Sequence, residues 1–334
     1  MNETLQQFNK SRREEYYKDE FLESHLGRMN KTLREAEEPE YKDFDITYPF
    51  IFVFGPPRSG TTLLSQLIAY SFDVGYINNL MARFWLAPLH GIRLSKSVLG
   101  ETQRISFQSD YAHTSHIADI HEFGYFWREL LNIHTMEDIV HIKERAEMVE
   151  WDRVRSVLST MQHEFRRPMV FKNIYGAYYL QHLRQLLTQV IGVYVTRDRL
   201  DAAISNIEAR KRYYGDIDTW WSYTPPEYNY LREMDCWHQI AGQVYYLNRF
   251  YINEIEETGP QYMVQVEYAD LCENPGKIIE KINAVAIKEW GSQIPVVNEP
   301  PDHFEFRTYS DREAEKARFE ELFNQLDENG KFNE

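Results

Sequence analysis

A short loop between an apolar run and a helical pattern has the composition of a phosphate-binding loop. Residues 55–62 read GPPRSGTT, which is the G-x-x-x-x-G skeleton of nucleotide phosphate loops. Backbone N–H groups and the start of the following helix would face the anion. Thr61 stands where ATP- and GTP-binding loops carry a lysine for the β- and γ-phosphates. The loop therefore favours a donor with one 5'-phosphate and a smaller anionic group over a nucleoside triphosphate.

Several side chains of this loop are suited to binding an anion. Three hydroxyl groups lie close to one another in sequence, and Arg58 can add positive charge from the other side of the loop. An ordinary strand–turn–helix connection is the alternative interpretation. The residues predicted to bind the 5' end of a nucleotide are Pro57, Arg58, Ser59, Gly60, Thr61 and Thr62.

A second candidate phosphate site follows another apolar run. Residues 197–205 read RDRLDAAIS, so that Arg197 leaves the carboxyl end of a predicted strand, where α/β sheets bind ligands. Ser205 lies on the helix that comes next. An arginine and a serine placed in this way can clamp a phosphate. Taken alone, the pattern also fits a helix cap or a surface ion pair.

Alternating apolar runs and helical patterns predict an α/β fold in which helices cover a parallel sheet. The predicted strands are 48–54, 169–172, 190–196 and 261–266, and the predicted helices are 60–72, 151–165, 178–187, 200–212 and 275–285. Two longer stretches interrupt the alternation. Residues 77–168 are mostly helical, and residues 213–258 begin with an aromatic, proline-bearing segment and continue as a helix. Insertions of this kind usually build the substrate side of the fold.

Together the two motifs resemble those of the sulfotransferases that use 3'-phosphoadenosine 5'-phosphosulfate (PAPS). Members carry a P-[RK]-[ST]-G-T-T loop for the 5'-phosphosulfate and an R-[DN]-P-x-D-x-x-x-S stretch for the 3'-phosphate. Here these read PRSGTT and RDRLDAAIS, with Arg199 in place of the usual proline. Lys172, which lies 25 residues before Arg197, resembles the family's strand-end lysine, and residues 266–275 resemble a further family segment.

The resemblance runs from about residue 48 to about residue 290. It implies a three-layer parallel β-sheet flanked by helices, of the P-loop nucleotide-hydrolase type, with helical insertions. It also implies PAPS as the donor and 3'-phosphoadenosine 5'-phosphate (PAP) as the product, bound in part by Arg197 and Ser205. The predicted enzyme moves a sulfuryl group to an acceptor hydroxyl by in-line transfer with a general base.

The branch of the family is indicated by the two residues after the strand-end lysine. The phenol and steroid branch has Lys-Thr-His there and uses the histidine as its base, whereas this chain has Ile174 at the third position. The R-K-G-x-x-G loop of that branch is not found either. The match is closer to the branch that acts on carbohydrates and protein tyrosine, which uses a glutamate. A small molecule or glycan, in particular a carbohydrate, is therefore the predicted acceptor.

Candidate catalytic groups are suggested by the chemistry of sulfuryl transfer. The acceptor hydroxyl needs a base, and cations are needed where charge builds on the bridging oxygen. Lys172 and Arg58 are the predicted cations. Glu122, in a segment that mixes titratable and aromatic residues, is the predicted base, and His121 and His116 are the alternatives. The transferred group carries one negative charge, and neither the two cysteines nor the eleven histidines show a zinc spacing, so no metal is expected.

An aromatic segment at residues 220–228, WWSYTPPEY, has two open interpretations. Its rings could stack on sugar faces or enclose an aromatic acceptor. Alternatively, its prolines could stiffen a loop that packs the rings into the core.

The length, composition and net charge of the chain limit the classes of protein to which it can belong. The chain has 334 residues, 43% of them hydrophobic, as expected for a packed globular protein. A net charge of −15 argues against non-specific nucleic-acid binding, and no apolar run is long enough for a membrane span or a signal peptide. A cytoplasmic protein is expected. The predicted division is a charged helical extension at 1–46, the sulfotransferase domain at 47–310 and a C-terminal helix and tail at 311–334.

Two other functions remain open from the sequence. A divergent phosphate-loop kinase or NTPase would want a lysine where Thr61 stands. A protein that kept the nucleotide site and lost catalysis would bind PAP without turnover. The oligomeric state is not indicated.

Overall fold

The computed structural model of the chain describes residues 9–100, 105–109, 114, 116–172 and 174–333. At its centre lies a five-stranded sheet in which every neighbouring pair of strands is parallel. The strands are β1 Phe50–Phe54, β2 Gly75–Tyr76, β3 Met169–Lys172, β4 Val190–Thr196 and β5 Met263–Glu267. Their order across the sheet is β2-β3-β1-β4-β5, so β1 is the central strand.

Helices connect and cover these strands. The α-helices among the described residues are α1 Glu20–Glu37, α2 Thr61–Ser71, α3 Pro88–Leu99, α4 Gly124–Leu130, α5 Met136–Val140, α6 Trp151–Phe165, α7 Leu180–Leu187, α8 Arg199–Tyr214, α9 Tyr228–Leu231, α10 Cys236–Thr258, α11 Tyr268–Glu273, α12 Pro275–Trp290 and α13 Glu313–Asn329. Short 3-10 turns lie at Glu14–Tyr16, Glu38–Glu40, Met81–Phe84, Glu144–Met148, Gly176–Tyr179 and Pro260–Tyr262. Among these helices, none combines the length and the apolar character that crossing a membrane requires.

The central strand shows why the fold has three layers. Successive side chains of a strand point to opposite faces, and every residue of β1 is buried. Phe52 packs on one face, with the indole ring of Trp127 from α4 at 6.0 Å. Val53 belongs to the core on the other face, which includes Leu64 of α2 and Ile278 of α12. A strand buried on both faces reads as a continuous apolar run, which is why the sequence predicted it.

The predicted α/β fold with a parallel sheet is therefore confirmed. Of the four predicted strands, 169–172 and 190–196 match at both ends and the other two have ends shifted by one or two residues; the predicted helices are present as well. The sequence missed β2, because two residues cannot form a recognisable apolar run. Gly75 of β2 packs so closely that an added Cβ would lie 2.5 Å from the ring of Phe165.

The N-terminal extension is tied to the first insertion by a buried carboxylate. Glu37 at the end of α1 is fully buried and accepts hydrogen bonds from the backbone N–H groups of Leu89 (2.9 Å) and His90 (2.8 Å). These groups lie in the first turn of α3, where a negative charge is favoured by the helix dipole. Leu26 and Asn30 of α1 are buried too, so this helix does more than lie on the surface.

Candidate active site

The phosphate loop, residues 55–62, leaves β1 at the carboxyl edge of the sheet and ends in α2. Gly60 has φ +105° and begins the helix, and an added Cβ would lie 2.6 Å from the Tyr268 ring. Only glycine combines this backbone conformation with so close a neighbour. Arg58 also has positive φ, 69°, which is uncommon for a residue with a side chain. The loop thus turns tightly between β1 and α2.

Two of the predicted anion-binding hydroxyls have different environments. The Ser59 Oγ atom is buried and has no hydrogen-bond partner among the described residues. A buried hydroxyl without a partner is costly, and an anion in the loop would satisfy it. The Thr62 Oγ1 atom already accepts a hydrogen bond from the Lys172 ammonium, at 2.8 Å.

The second predicted phosphate site lies directly beside the loop. Arg197, at the end of β4, donates to the carbonyl oxygens of Arg58 (3.4 Å) and Arg307, while its Nε atom is buried without a partner among the described residues. Its guanidinium lies near the rings of Tyr268, at 4.7 Å, and Tyr309, at 5.7 Å. This group is therefore oriented and retains one buried donor.

Arg58 joins the two sites. Its Nε donates to the hydroxyl of Ser205 (2.9 Å), and its carbonyl oxygen accepts from Arg197. The helix-cap alternative for this motif applies to its aspartate: the Asp198 carboxylate accepts a hydrogen bond from the N–H of Asp201 (2.9 Å). Capping by Asp198 begins α8 and so places Ser205 two turns later on the face toward Arg58.

The predicted base and the predicted strand-end cation form an ion pair. Lys172 ends β3, in register with Val53 of β1, and its ammonium contacts a carboxylate oxygen of Glu122. The Lys172 side chain is only 2% exposed, whereas that of Glu122 is 33% exposed. The carboxylate therefore faces both the buried ammonium and the solvent, from which an acceptor would approach.

The two alternative bases have structural contacts. The Nδ1 atom of His121 accepts a hydrogen bond from the Phe123 N–H (2.8 Å), and the His121 N–H donates to the carbonyl of Ile77 (2.8 Å). These bonds fix the backbone on either side of Glu122. His116 is exposed in a turn, where its Nδ1 accepts from the Ala118 N–H (3.3 Å).

The aromatic segment 220–228 packs over the phosphate loop. The Tyr223 hydroxyl donates to the Gly55 carbonyl, and the Trp221 ring lies 5.9 Å from the Arg58 guanidinium. Gln243 of α10, fully buried, holds the segment by donating to the carbonyls of Trp221 (3.0 Å) and Tyr223 (2.6 Å). The Trp221 and Tyr223 side chains therefore form a wall of the site.

The sequence did not single out Tyr223 or Tyr268 individually, although each lay in a segment that it indicated. Burial raises the pKa of both phenols, that of Tyr268 to about 12. Both are therefore protonated at neutral pH and act as hydrogen-bonding or packing groups. Within the described part of the chain, no group of three or more His, Cys, Asp or Glu residues could hold a metal ion.

Comparison with protein families places the chain in one of them. Residues 49–290, more than half of the chain, match the family model described as "Sulfotransferase family". No curated protein matches the chain.

Several solved structures are similar in fold. Sulfotransferase STF9 from Mycobacterium avium is 12% identical with a TM-score of 0.49, and the match covers 93% of this chain and 78% of that one. Sulfotransferase STF1 from Mycobacterium tuberculosis H37Rv is 17% identical with a TM-score of 0.49, over 90% and 84%. The sulfotransferase domain from the curacin biosynthetic pathway is 12% identical with a TM-score of 0.42, over 86% and 99%.

Proposed function

The chain belongs to the sulfotransferase family, and on that premise we propose that it transfers a sulfuryl group from PAPS to a hydroxyl group of a carbohydrate. The proposal that PAPS is the sulfuryl donor rests on two buried hydrogen-bonding groups without a partner among the described residues. These are Ser59 Oγ and Arg197 Nε, in two adjacent motifs. Leaving such a group unpaired costs about 1–3 kcal/mol. Two such groups, joined through Arg58, fit a nucleotide with phosphates at two positions.

The residues of the site divide between the two ends of the donor. Residues 57–62 would hold the 5'-phosphosulfate through backbone N–H groups and the hydroxyl of Ser59. Arg197 and Ser205 would hold the 3'-phosphate. When bound, PAPS supplies the sulfuryl group and a phosphate leaving group.

The catalytic roles are assigned from the ion pair. Glu122 accepts the proton of the acceptor hydroxyl at its carboxylate, because a protonated hydroxyl is a poor nucleophile. Lys172 keeps positive charge beside the phosphate loop, where it stabilises negative charge that develops on the leaving oxygen. Thr62, bonded to Lys172, fixes the direction of the ammonium. Support for an acceptor of the carbohydrate and protein-tyrosine branch, of which we propose the carbohydrate, is that Glu122 contacts Lys172 and that Ile174 stands where the phenol branch has its histidine.

The donor is tested by comparing nucleotides. PAP should raise the melting temperature far more than AMP, ATP or GTP at equal concentration, because it can fill both phosphate sites. Equal shifts with PAP and AMP would refute the two-site arrangement, and a larger shift with ATP would favour a kinase or NTPase.

The reaction is tested separately, with radiolabelled PAPS and a panel of sugars, glycolipids, phenols and tyrosyl peptides. Labelled sulfate should appear on a carbohydrate. Transfer only to a phenol or a tyrosyl peptide would refute the proposed acceptor. Tight PAP binding with no transfer to any acceptor in the panel would favour an inactive nucleotide-binding protein.

A further inference from the structure

A C-terminal segment crosses the Arg197 site outside the part of the chain that the family model matches, which ends at residue 290. Its path begins where the Phe304 N–H donates to the Cys272 carbonyl (2.8 Å). Three residues later, the carbonyl oxygen of Arg307 accepts a hydrogen bond from Arg197, and the ring of Tyr309 lies beside the same guanidinium. The segment therefore supplies two of the contacts that orient Arg197.

A buried carboxylate holds this segment in place. Asp201, in the first turn of α8, is 3% exposed. Its Oδ1 atom accepts hydrogen bonds from the Tyr309 N–H (3.2 Å) and the Lys316 ammonium (2.9 Å). Burial opposes the charge, yet the bonds from Lys316 and Thr308 keep the pKa of Asp201 below its usual value. The carboxylate is thus charged and paired.

The far end of the segment is fixed independently. Arg312 donates to Glu208 (2.9 Å) of α8 and to Glu315 (2.9 Å). The helix α13 that comes next buries Phe319 and Phe323 against α8 and α10. Residues 307–312 are therefore a mostly exposed span between two anchored ends, with Asp201 at its middle.

We propose that residues 307–312 are a latch over the 3'-phosphate site and that Asp201 is the positioning residue that keeps the latch closed. Closed, the latch orients Arg197 through the Arg307 carbonyl and the Tyr309 ring. Open, it leaves Arg197 without these two contacts, and a nucleotide can leave. Mostly exposed segments with few buried contacts are the parts of a fold that open most readily. This proposal rests on the proposed function, since it assigns the latch to the nucleotide's 3'-phosphate.

The test compares nucleotides with and without a 3'-phosphate. Lys316→Met removes the ion pair and leaves the acceptor of the Tyr309 N–H, whereas Asp201→Ala removes both. We expect PAP to bind about tenfold more weakly to Asp201→Ala, in the range for losing hydrogen bonds to charged groups, and to dissociate faster. Lys316→Met should show a smaller change in the same direction. AMP binding should stay the same in both.

Arg318→Met is the matched control. Arg318 lies on the same helix and also forms an ion pair, with Asp235 at 3.5 Å, but the pair is about half exposed and joins α13 to the start of α10. Its PAP affinity should equal that of the unmodified chain. Binding and stopped-flow dissociation are measured well below the melting temperature of every variant, so that a loss of stability does not change the measured affinity or dissociation rate.

Two results would overturn the latch in different ways. If Asp201→Ala and Lys316→Met left PAP affinity and dissociation unchanged while Arg197→Ala weakened PAP, the latch would be wrong and the nucleotide site would stand. If PAP and AMP weakened equally, Asp201 would be a general structural residue. Failure of the unmodified chain to bind PAP would instead refute the proposed function itself.

Discussion

Glu122→Gln is the most informative single substitution in the site. It keeps the shape of the side chain and removes both its basicity and its negative charge. Because the carboxylate is paired with the buried ammonium of Lys172, the change acts on stability as well as on turnover. The hydrogen bond from Lys172 to Thr62 remains, but Thr62 is a neutral acceptor.

The loss of stability in Glu122→Gln depends on how exposed the two partners of the ion pair, Lys172 and Glu122, are. Removing one partner of a fully buried ion pair costs about 3–5 kcal/mol, whereas an exposed pair contributes about 0–1 kcal/mol. Lys172 is 2% exposed and Glu122 is 33% exposed, so the pair lies between these limits. We expect a loss of about 1–3 kcal/mol in the free energy of unfolding. Lys172→Met, which removes the buried charge itself, should cost less, and the double variant should resemble it.

Expressed as free energies, the loss of turnover in Glu122→Gln should exceed its loss of stability. Losing a positioned base lowers the rate by about 10²–10⁴-fold, whereas PAP affinity should hold because Glu122 faces the acceptor side. Urea unfolding of the four proteins of the cycle gives the coupling energy, and sulfate transfer gives the rate. Glu129→Gln, an exposed glutamate of α4, is the control and should change neither. Near-normal turnover in Glu122→Gln, together with its loss in His121→Ala, would move the role to His121.

Three further predictions test the donor site, the metal and the core. Arg197→Ala should weaken PAP binding by about 2–5 kcal/mol in calorimetry and leave AMP binding nearly unchanged. Arg199→Ala, which removes an exposed pair with Asp327, should leave the binding of both nucleotides unchanged. Equal weakening of PAP and AMP in Arg197→Ala would contradict the assignment. Activity should survive EDTA, and strict dependence on Mg²⁺ would favour a kinase. Burial, together with the nearby Glu257, raises the pKa of Glu254 from 4.5 to about 7, so the folded chain keeps a proton that the unfolded chain loses between these values. Stability therefore falls as the pH rises through this range. Glu254→Gln should stabilise the chain by about 3 kcal/mol at about pH 8 and not at about pH 4. A difference in melting temperature between Glu254→Gln and the unmodified chain that is the same at both pH values would refute this.

The parts of the site that the sequence predicted are those set by local rules. The phosphate loop depends on a strand end, a glycine and a helix start, all within residues 50–61. Arg197 was predicted to lie at the ligand-binding edge of the sheet because it follows a strand, and Lys172 because it resembles the family's strand-end lysine. Both do lie there: Lys172 is the last residue of β3 and Arg197 directly follows β4, and these two strands flank β1.

Other contacts of the site join segments that are far apart in the chain, and a local sequence pattern does not show how such segments fold back on one another. The chemistry of Glu122 and its surroundings predict a base, but its contact with Lys172 depends on how the first insertion returns to the sheet. Backbone hydrogen bonds, such as that from the His121 N–H to the Ile77 carbonyl, hold the insertion in this position. Asp201 is part of the second motif, but its place in the sequence does not show that the Tyr309 N–H and the Lys316 ammonium converge on it.

Arg58 explains why two motifs far apart in sequence form one site. Its left-handed backbone costs energy that the surroundings must offset, and such strain is found where function requires a fixed geometry. In this conformation its side chain reaches Ser205 while its carbonyl oxygen accepts from Arg197. Both elements of the second motif are therefore bonded to one residue of the first. A shift of the phosphate loop would change the contacts of both Ser205 and Arg197, so we expect the two motifs to respond together when a ligand binds.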